Sequence, residues 1–267
     1  MKRVWGPAGL ISSALLAFGL SACATSSIQR VLEQGELVVG TAANMPPLNM
    51  TTRDGRIVGY EIDIAAQMAS AMGVQLKLVP MPFGELLPAL EAGRLDMVIS
   101  GITMTPERNL KVAFAGPYFI SGKSFLTKRA TIASARDARI LDRPEATLAA
   151  LKESTSESFV RQFLPRATLV QVESYDEGVQ KVLDDEVEAL IADFPICIVS
   201  VFRYPDRGLA SLITPVTYEP LGIALPADDP LFVNLIENFL GTLKGDGRLR
   251  ALQNRWFKEQ GWLSELP

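Results

Sequence analysis

Histidine is absent from all 267 residues. That single absence removes Ser-His-Asp and Cys-His nucleophile systems, histidine-ligated zinc and facial-triad iron together. Cysteine is almost absent too, with only Cys23 and Cys197 present. One disulfide is the most this pair could form. No block of Lys and Arg runs along the chain, and the formal charge is −4. Phosphate backbones are held by clustered cations, so no nucleic-acid partner is expected. No apolar run reaches the length of a stable membrane-spanning helix. What remains is an ordinary globular composition, 48% hydrophobic and 21% charged, long enough for one large domain or two modest ones. Neither a metal nor a cofactor is expected.

The N-terminus reads as an export signal. Met1-Lys2-Arg3 is a short positive start, and residues 10–20 are apolar and rich in small side chains. The stretch ends in Leu20-Ser21-Ala22-Cys23, which resembles the bacterial lipobox. The resemblance implies cleavage before Cys23 and a diacylglycerol on its thiol. An ordinary signal peptide with a chance cysteine is the alternative. Residues 1–22 are therefore expected to be removed, and the mature body to sit in the cell envelope, on its periplasmic or extracytoplasmic face, held to the membrane by lipid alone. With Cys23 lipidated, Cys197 in Pro195-Ile196-Cys197-Ile198-Val199 is expected to be a small buried side chain.

From residue 27 the pattern alternates between helix and strand. Ser27 is expected to cap a short helix that Gly35 stops, and Leu37-Val38-Val39 to form a strand. Arg53-Asp54-Gly55-Arg56 predicts a hairpin turn. Ile62, Ala65, Met68, Ala69 and Met72 recur at helical spacing before Gly73, which predicts a helix over 61–72. Strands are expected at 74–79 and 97–99, with a helix between them. After a polar stretch near 128–146 the rhythm restarts, with strands at 147–151, 168–172 and 189–191 and helices at 157–163 and 175–183. Leu95–Ser100 and Val187–Ala192 share a local pattern. The expectation is an α/β chain of two lobes, each a mostly parallel sheet flanked by helices. One lobe is placed at 23–125 plus 222–267 and the other at 126–221, with hinges near 124–128 and 220–222. Ligands of such sheets bind beyond the carboxyl ends of the strands, which directs attention to 42–48, 80–84, 100–108, 152–157 and 193–195.

Within these segments Gly101-Ile102-Thr103-Met104-Thr105-Pro106-Glu107-Arg108 is the most informative. Thr105 followed by Pro106 predicts a helix start, and Arg108 in its first turn is disfavoured by the helix dipole. A bound carboxylate would offset that cost by accepting a forked pair from the guanidinium. An exposed Arg108 paired with Glu107 or Glu91 is the alternative.

That run, together with Gly59-Tyr60-Glu61-Ile62-Asp63-Ile64 and Leu86-Leu87-Pro88-Ala89-Leu90 followed by Gly93 and Asp96, resembles the family 3 extracellular solute-binding proteins. The resemblance covers nearly all of the mature chain and implies a two-lobed, type II periplasmic-binding fold that closes on an amino acid. The implied partners are that amino acid and an ABC permease, and the implied state is a monomer. It further implies that Arg108 grips the ligand carboxylate with Gly101 and Thr103 beside it. Asp193 would accept the ammonium, and Phe83 would pack on the ligand side chain. Asp193 before Pro195 could equally serve as a helix N-cap. Glu153-Ser154-Thr155-Ser156 falls where the family usually shows Ser-Gly-Thr, with the glycines at 154 and 156 missing, so the hydroxyls and N–H groups of Thr155 and Ser156 would serve on an altered backbone. Ala42 replaces an acidic residue and Met45 an aromatic one. These changes weaken the case for a cationic ligand and suit a more apolar wall. The rival reading is an exported dehydratase on the same scaffold, with Glu153 or Glu157 as general acid. A sensor or cell-wall module is a second, and no appended domain of that kind is expected.

Overall fold

The computed structural model describes residues 1–2, 26–135 and 137–267, so Cys23 and nearly all of the expected export signal lie outside the described residues. Two five-stranded sheets organise the chain. In the first, the strands Gln75–Pro80, Glu36–Thr41 and Met97–Val98 run parallel, followed by Glu219–Pro226 and Val112–Ser121. The second repeats this plan with Thr168–Val172, Thr147–Leu151 and Ala189–Asp193 parallel, then Lys123–Thr127 and Ala210–Ser211. The related segments around Met97 and Ala189 thus hold the same place in their two sheets.

Four of the five strands in each sheet share one direction, so both sheets are mostly parallel, as expected. The fourth strand of each runs antiparallel to both neighbours. The reason is the chain's path. It leaves the first sheet at Ser121, passes Gly122, and enters the second as Lys123–Thr127; it returns as Glu219–Pro226. In each sheet the reversed strand is a segment arriving from the other lobe. The sheets therefore exchange at Gly122 and ahead of Glu219, not at 125/126 and 221/222, where the sequence reading cut both crossing strands. Gly122 is required there by space, since a Cβ would stand 2.2 Å from the Thr217 carbonyl oxygen on the returning segment.

Local chemistry accounts for the ends of the elements. The helix Ser27–Gln34 is capped by Ser26, whose hydroxyl accepts from the Gln29 N–H, so Ser27 is its first residue and not its cap. Gly35 and Gly73 close their helices in the left-handed conformation, where a Cβ is penalised. The turn at 53–56 joins Asn49–Thr51 to Ile57–Val58 in a small antiparallel sheet with Asn44–Met45.

One apolar cluster joins Leu37, Val39, Met68, Met97 and Leu225 of the first lobe to Leu126, Leu190 and Ile196 of the second. Phe125, Leu148, Ile191 and Val160 form a separate core on the opposite face of the second sheet. Phe125 is fully enclosed, and removing such a side chain from water contributes about 1.5–3 kcal/mol. Cys197 is buried in the helix Phe194–Arg203, and burial, helped by the Asp193 charge, pushes its thiol up to about 12. That keeps it protonated and inert, as its apolar surroundings in the sequence suggest.

Candidate ligand site between the lobes

The expected segments do converge. Phe83 opens a short turn, Phe83–Glu85, after the strand Gln75–Pro80. Thr103 and Arg108 follow the strand Met97–Val98. Across the gap stand Glu153, Thr155 and Ser156, after Thr147–Leu151, and Asp193, the last residue of Ala189–Asp193.

Arg108 sits in a one-turn helix, Pro106–Asn109, whose N-cap Thr105 accepts the Arg108 N–H at 3.3 Å. Its guanidinium lies 5.7 Å from the Phe83 ring centroid and donates to the Thr103 carbonyl at 3.0 Å. A second donor reaches the Glu153 carbonyl of the other lobe at 3.4 Å. Beside it the Thr103 and Thr155 hydroxyls meet at 3.3 Å. Burial lowers the Arg108 pKa, opposed by the negative charges of Glu219 and Asp193. Arg108 and Asp193 come from opposite lobes. They do not share one groove. Arg108 lines a cavity of about 340 Å³ with Phe83, Gly84, Ile102 and Glu153, while Asp193 lies deeper and only 2% exposed.

Asp193 holds the N-cap position of Phe194–Arg203 yet makes no cap bond. Its carboxylate instead accepts from the Lys123 ammonium at 2.9 Å. Lys123 went unrecognised in the sequence. The only hint of it was a single cation, in Gly122-Lys123-Ser124-Phe125-Leu126, beside residues that read as buried. Glu219 was missed as well; its Oε2 lies 3.8 Å from the same ammonium.

The remaining candidates are placed less simply. The Gly101 amide is committed to the Glu61 carboxylate at 2.7 Å and is not free for a ligand. Met45 is fully enclosed, with its methyl against Gly101 and its sulfur accepting from the Ser100 hydroxyl at 3.8 Å. It packs beneath the loop as much as it could form a wall. Ala42 donates its N–H to Ser100 Oγ at 2.8 Å. On the second lobe Ser154 caps the helix Thr155–Phe163 and takes the Ser156 and Glu157 amides, so neither of those N–H groups is free for an anion. Glu153 adopts φ 61°, in the left-handed region that a glycine ordinarily fills. Its carboxylate lies against Gly84, where a Cβ would stand 2.2 Å away.

Several buried oxygens here have no hydrogen-bond partner among the described residues: Asn44 Oδ1, Ser121 Oγ, Ser156 Oγ and Glu219 Oε2. Buried polar atoms are ordinarily satisfied, so each unpaired one calls for an explanation. These come from both lobes and both crossing segments. The helix Tyr175–Leu183 packs on the strand Asn44–Met45 across the same junction, with Tyr175 fully enclosed.

The model of the bacterial extracellular solute-binding proteins, family 3, matches residues 37–259. The chain belongs to that family. It is 27% identical over 233 residues to the L-cystine-binding protein TcyJ of Escherichia coli, covering 86% of this chain and 85% of the relative. It is 25% identical over 245 residues to a cyclohexadienyl dehydratase of Pseudomonas aeruginosa, covering 92% and 91%. A solved structure from Wolinella succinogenes, described as a binding component of an ABC transporter complexed with lysine, superposes with a TM-score of 0.81. It shares 37% identity and is covered to 99%, against 86% of this chain.

Proposed function

We propose that the protein is an exported binding protein that captures an amino acid between its lobes and delivers it to an ABC importer, held at the membrane by a lipid on Cys23. The observation that carries the reading is that opposite charges come to one junction from opposite lobes, Arg108 after the strand Met97–Val98 and Asp193 at the end of Ala189–Asp193, with the Arg108 guanidinium reaching across to the Glu153 carbonyl. A zwitterion is costly to dehydrate, so its site must offer both signs. With one sign on each lobe, neither end of the ligand is fully held until the lobes meet, and binding is coupled to closure. The names of the cystine-binding relative and of the lysine-bound neighbour support the class of ligand.

The dehydratase relative makes catalysis the second reading. The candidate acids argue against it. Burial pushes the Glu157 pKa up, but hydrogen bonds from the Glu153 amide, Arg161 and Gln171 outweigh it and hold the group below the usual carboxylate value. A carboxylate held ionised is a poor proton donor. Glu153 is exposed to solvent.

A thermal-shift screen of the protein truncated before Cys23 against the twenty amino acids tests the reading. Saturation near a hundred times Kd adds about 2.7 kcal/mol, which raises Tm by roughly 5–10 °C for a chain of this size. No shift with any amino acid, together with turnover of prephenate, would replace the proposal with the enzyme. The lipid is tested by the mass of the mature N-terminal peptide. A diacylglyceryl cysteine at 23 is expected, and an unmodified thiol there contradicts the anchor.

A further inference from the structure

We propose that Lys123 sets the charge balance of the ligand site and so selects amino acids whose side chains are uncharged. The inference rests on the amino-acid reading above and adds the class of side chain.

Lys123 is 1% exposed, an unusual place for an ammonium. It stands at the start of the crossing strand, directly after Gly122, and its backbone N–H donates to Thr217 Oγ1 on the returning segment at 2.9 Å. Its ammonium donates to Asp193 at 2.9 Å and lies 3.8 Å from Glu219 Oε2. The other Glu219 oxygen accepts from the Thr217 hydroxyl at 3.1 Å, while Oε2 has no hydrogen-bond partner. A row of alternating charge results, Glu219 then Lys123 then Asp193, in which each ion is adjacent to its opposite.

An amino acid bound as proposed extends that row. Its ammonium takes the second Asp193 oxygen and its carboxylate takes Arg108, so the alternation runs unbroken from Glu219 to Arg108. Two protein cations and two protein anions then enclose a dipolar solute of no net charge. A side-chain cation on the ligand would find both acids already matched, and Ala42 supplies no carboxylate. A side-chain anion would find both bases engaged. The other acids nearby do not change the count. Glu61 is fully enclosed and occupied by the Asn49 amide, the Gly101 N–H and the Tyr118 hydroxyl. Glu153 is exposed at the rim, where water screens its charge. Buried charges without partners are heavily penalised, so the balance acts as a filter.

Calorimetric titration of the protein truncated before Cys23 and of its Lys123→Met variant with L-glutamine, L-leucine, L-glutamate, L-arginine and L-lysine tests this. The unaltered protein should bind one of the uncharged amino acids at least about tenfold tighter than arginine or lysine. Lys123→Met, which leaves two acids facing one base, should move that ratio about tenfold or more toward the cationic ligands. Glu219→Gln shifts the balance the other way and should favour L-glutamate, so the proposal stays testable if Lys123→Met does not fold. A preference of the unaltered protein for arginine or lysine overturns the inference and leaves the amino-acid reading standing. So does an unchanged ratio in Lys123→Met, or in Glu219→Gln if that variant alone folds. Failure of all five probes and of the wider screen removes the amino-acid reading and this inference with it.

Discussion

Arg108→Ala should abolish the ligand-induced rise in Tm while leaving the unliganded Tm within about 2 °C, the change expected of a surface substitution. The asymmetry follows from position. Arg108 is half-buried at the cleft, its guanidinium spends one donor on its own loop and one on the Glu153 carbonyl, and burial already lowers its pKa. The apo fold therefore loses little when the charge is removed. The ligand loses much more. Its carboxylate would enter the closed cleft with no cation, and leaving such a charge without its partner costs about 2–5 kcal/mol, roughly thirtyfold to several thousandfold in affinity. Arg108→Lys should recover only part of this, because a single ammonium cannot reproduce the planar fork or its stacking on Phe83. Calorimetric affinities for the two variants check the ordering. Undiminished binding by Arg108→Ala would remove this residue from the site.

Glu61→Ala should be the most destabilising single change in the first lobe. The carboxylate is fully buried and accepts from the Asn49 side chain at 2.6 Å, the Gly101 N–H at 2.7 Å and the Tyr118 hydroxyl. Burial raises its pKa and the three donors oppose that rise, so the group stands in a balanced polar network. Deleting it strands three buried donors, each costing about 1–3 kcal/mol. A total of roughly 3–9 kcal/mol corresponds to a fall in Tm of about 6 °C or more. Glu61→Gln keeps the volume and one acceptor, and should cost about half as much. Because Glu61 fixes the Gly101 amide, both variants should also weaken ligand binding. A fall of less than 2 °C in Glu61→Ala would show that the network is not structural.

The helix at Tyr60–Met72 and the parallel strands of both sheets were legible because their signals are local. Apolar spacing, a glycine stop and continuous hydrophobic runs each need only a dozen residues to be read. The crossing strands Val112–Ser121 and Lys123–Thr127 were not. Their direction and partners are set by residues about a hundred positions away, such as Leu221 opposite Phe119 and Ser211 opposite Leu126. Arg108 was legible through Thr105 and Pro106, which mark a helix start whose dipole an arginine opposes. Lys123 was not, since a lysine in a strand reads as a solvent-facing position until the opposing Asp193 and the returning Glu219 are seen beside it. Glu61 stood in a familiar motif, but its three donors come from 12, 40 and 57 residues away. Local pattern thus showed which loops meet. Long-range pairing decided which charges they bring.

The most direct test of the account uses half-ligands. Isothermal titration would compare the amino acid giving the largest thermal shift with its decarboxylated amine and with its des-amino acid. Each truncated molecule should bind at least about a hundredfold more weakly than the parent, because either the Arg108 guanidinium loses its carboxylate or the second Asp193 oxygen loses its ammonium. Either one binding with the parent's affinity would contradict the claim that the two lobes hold the two ends of one dipolar solute.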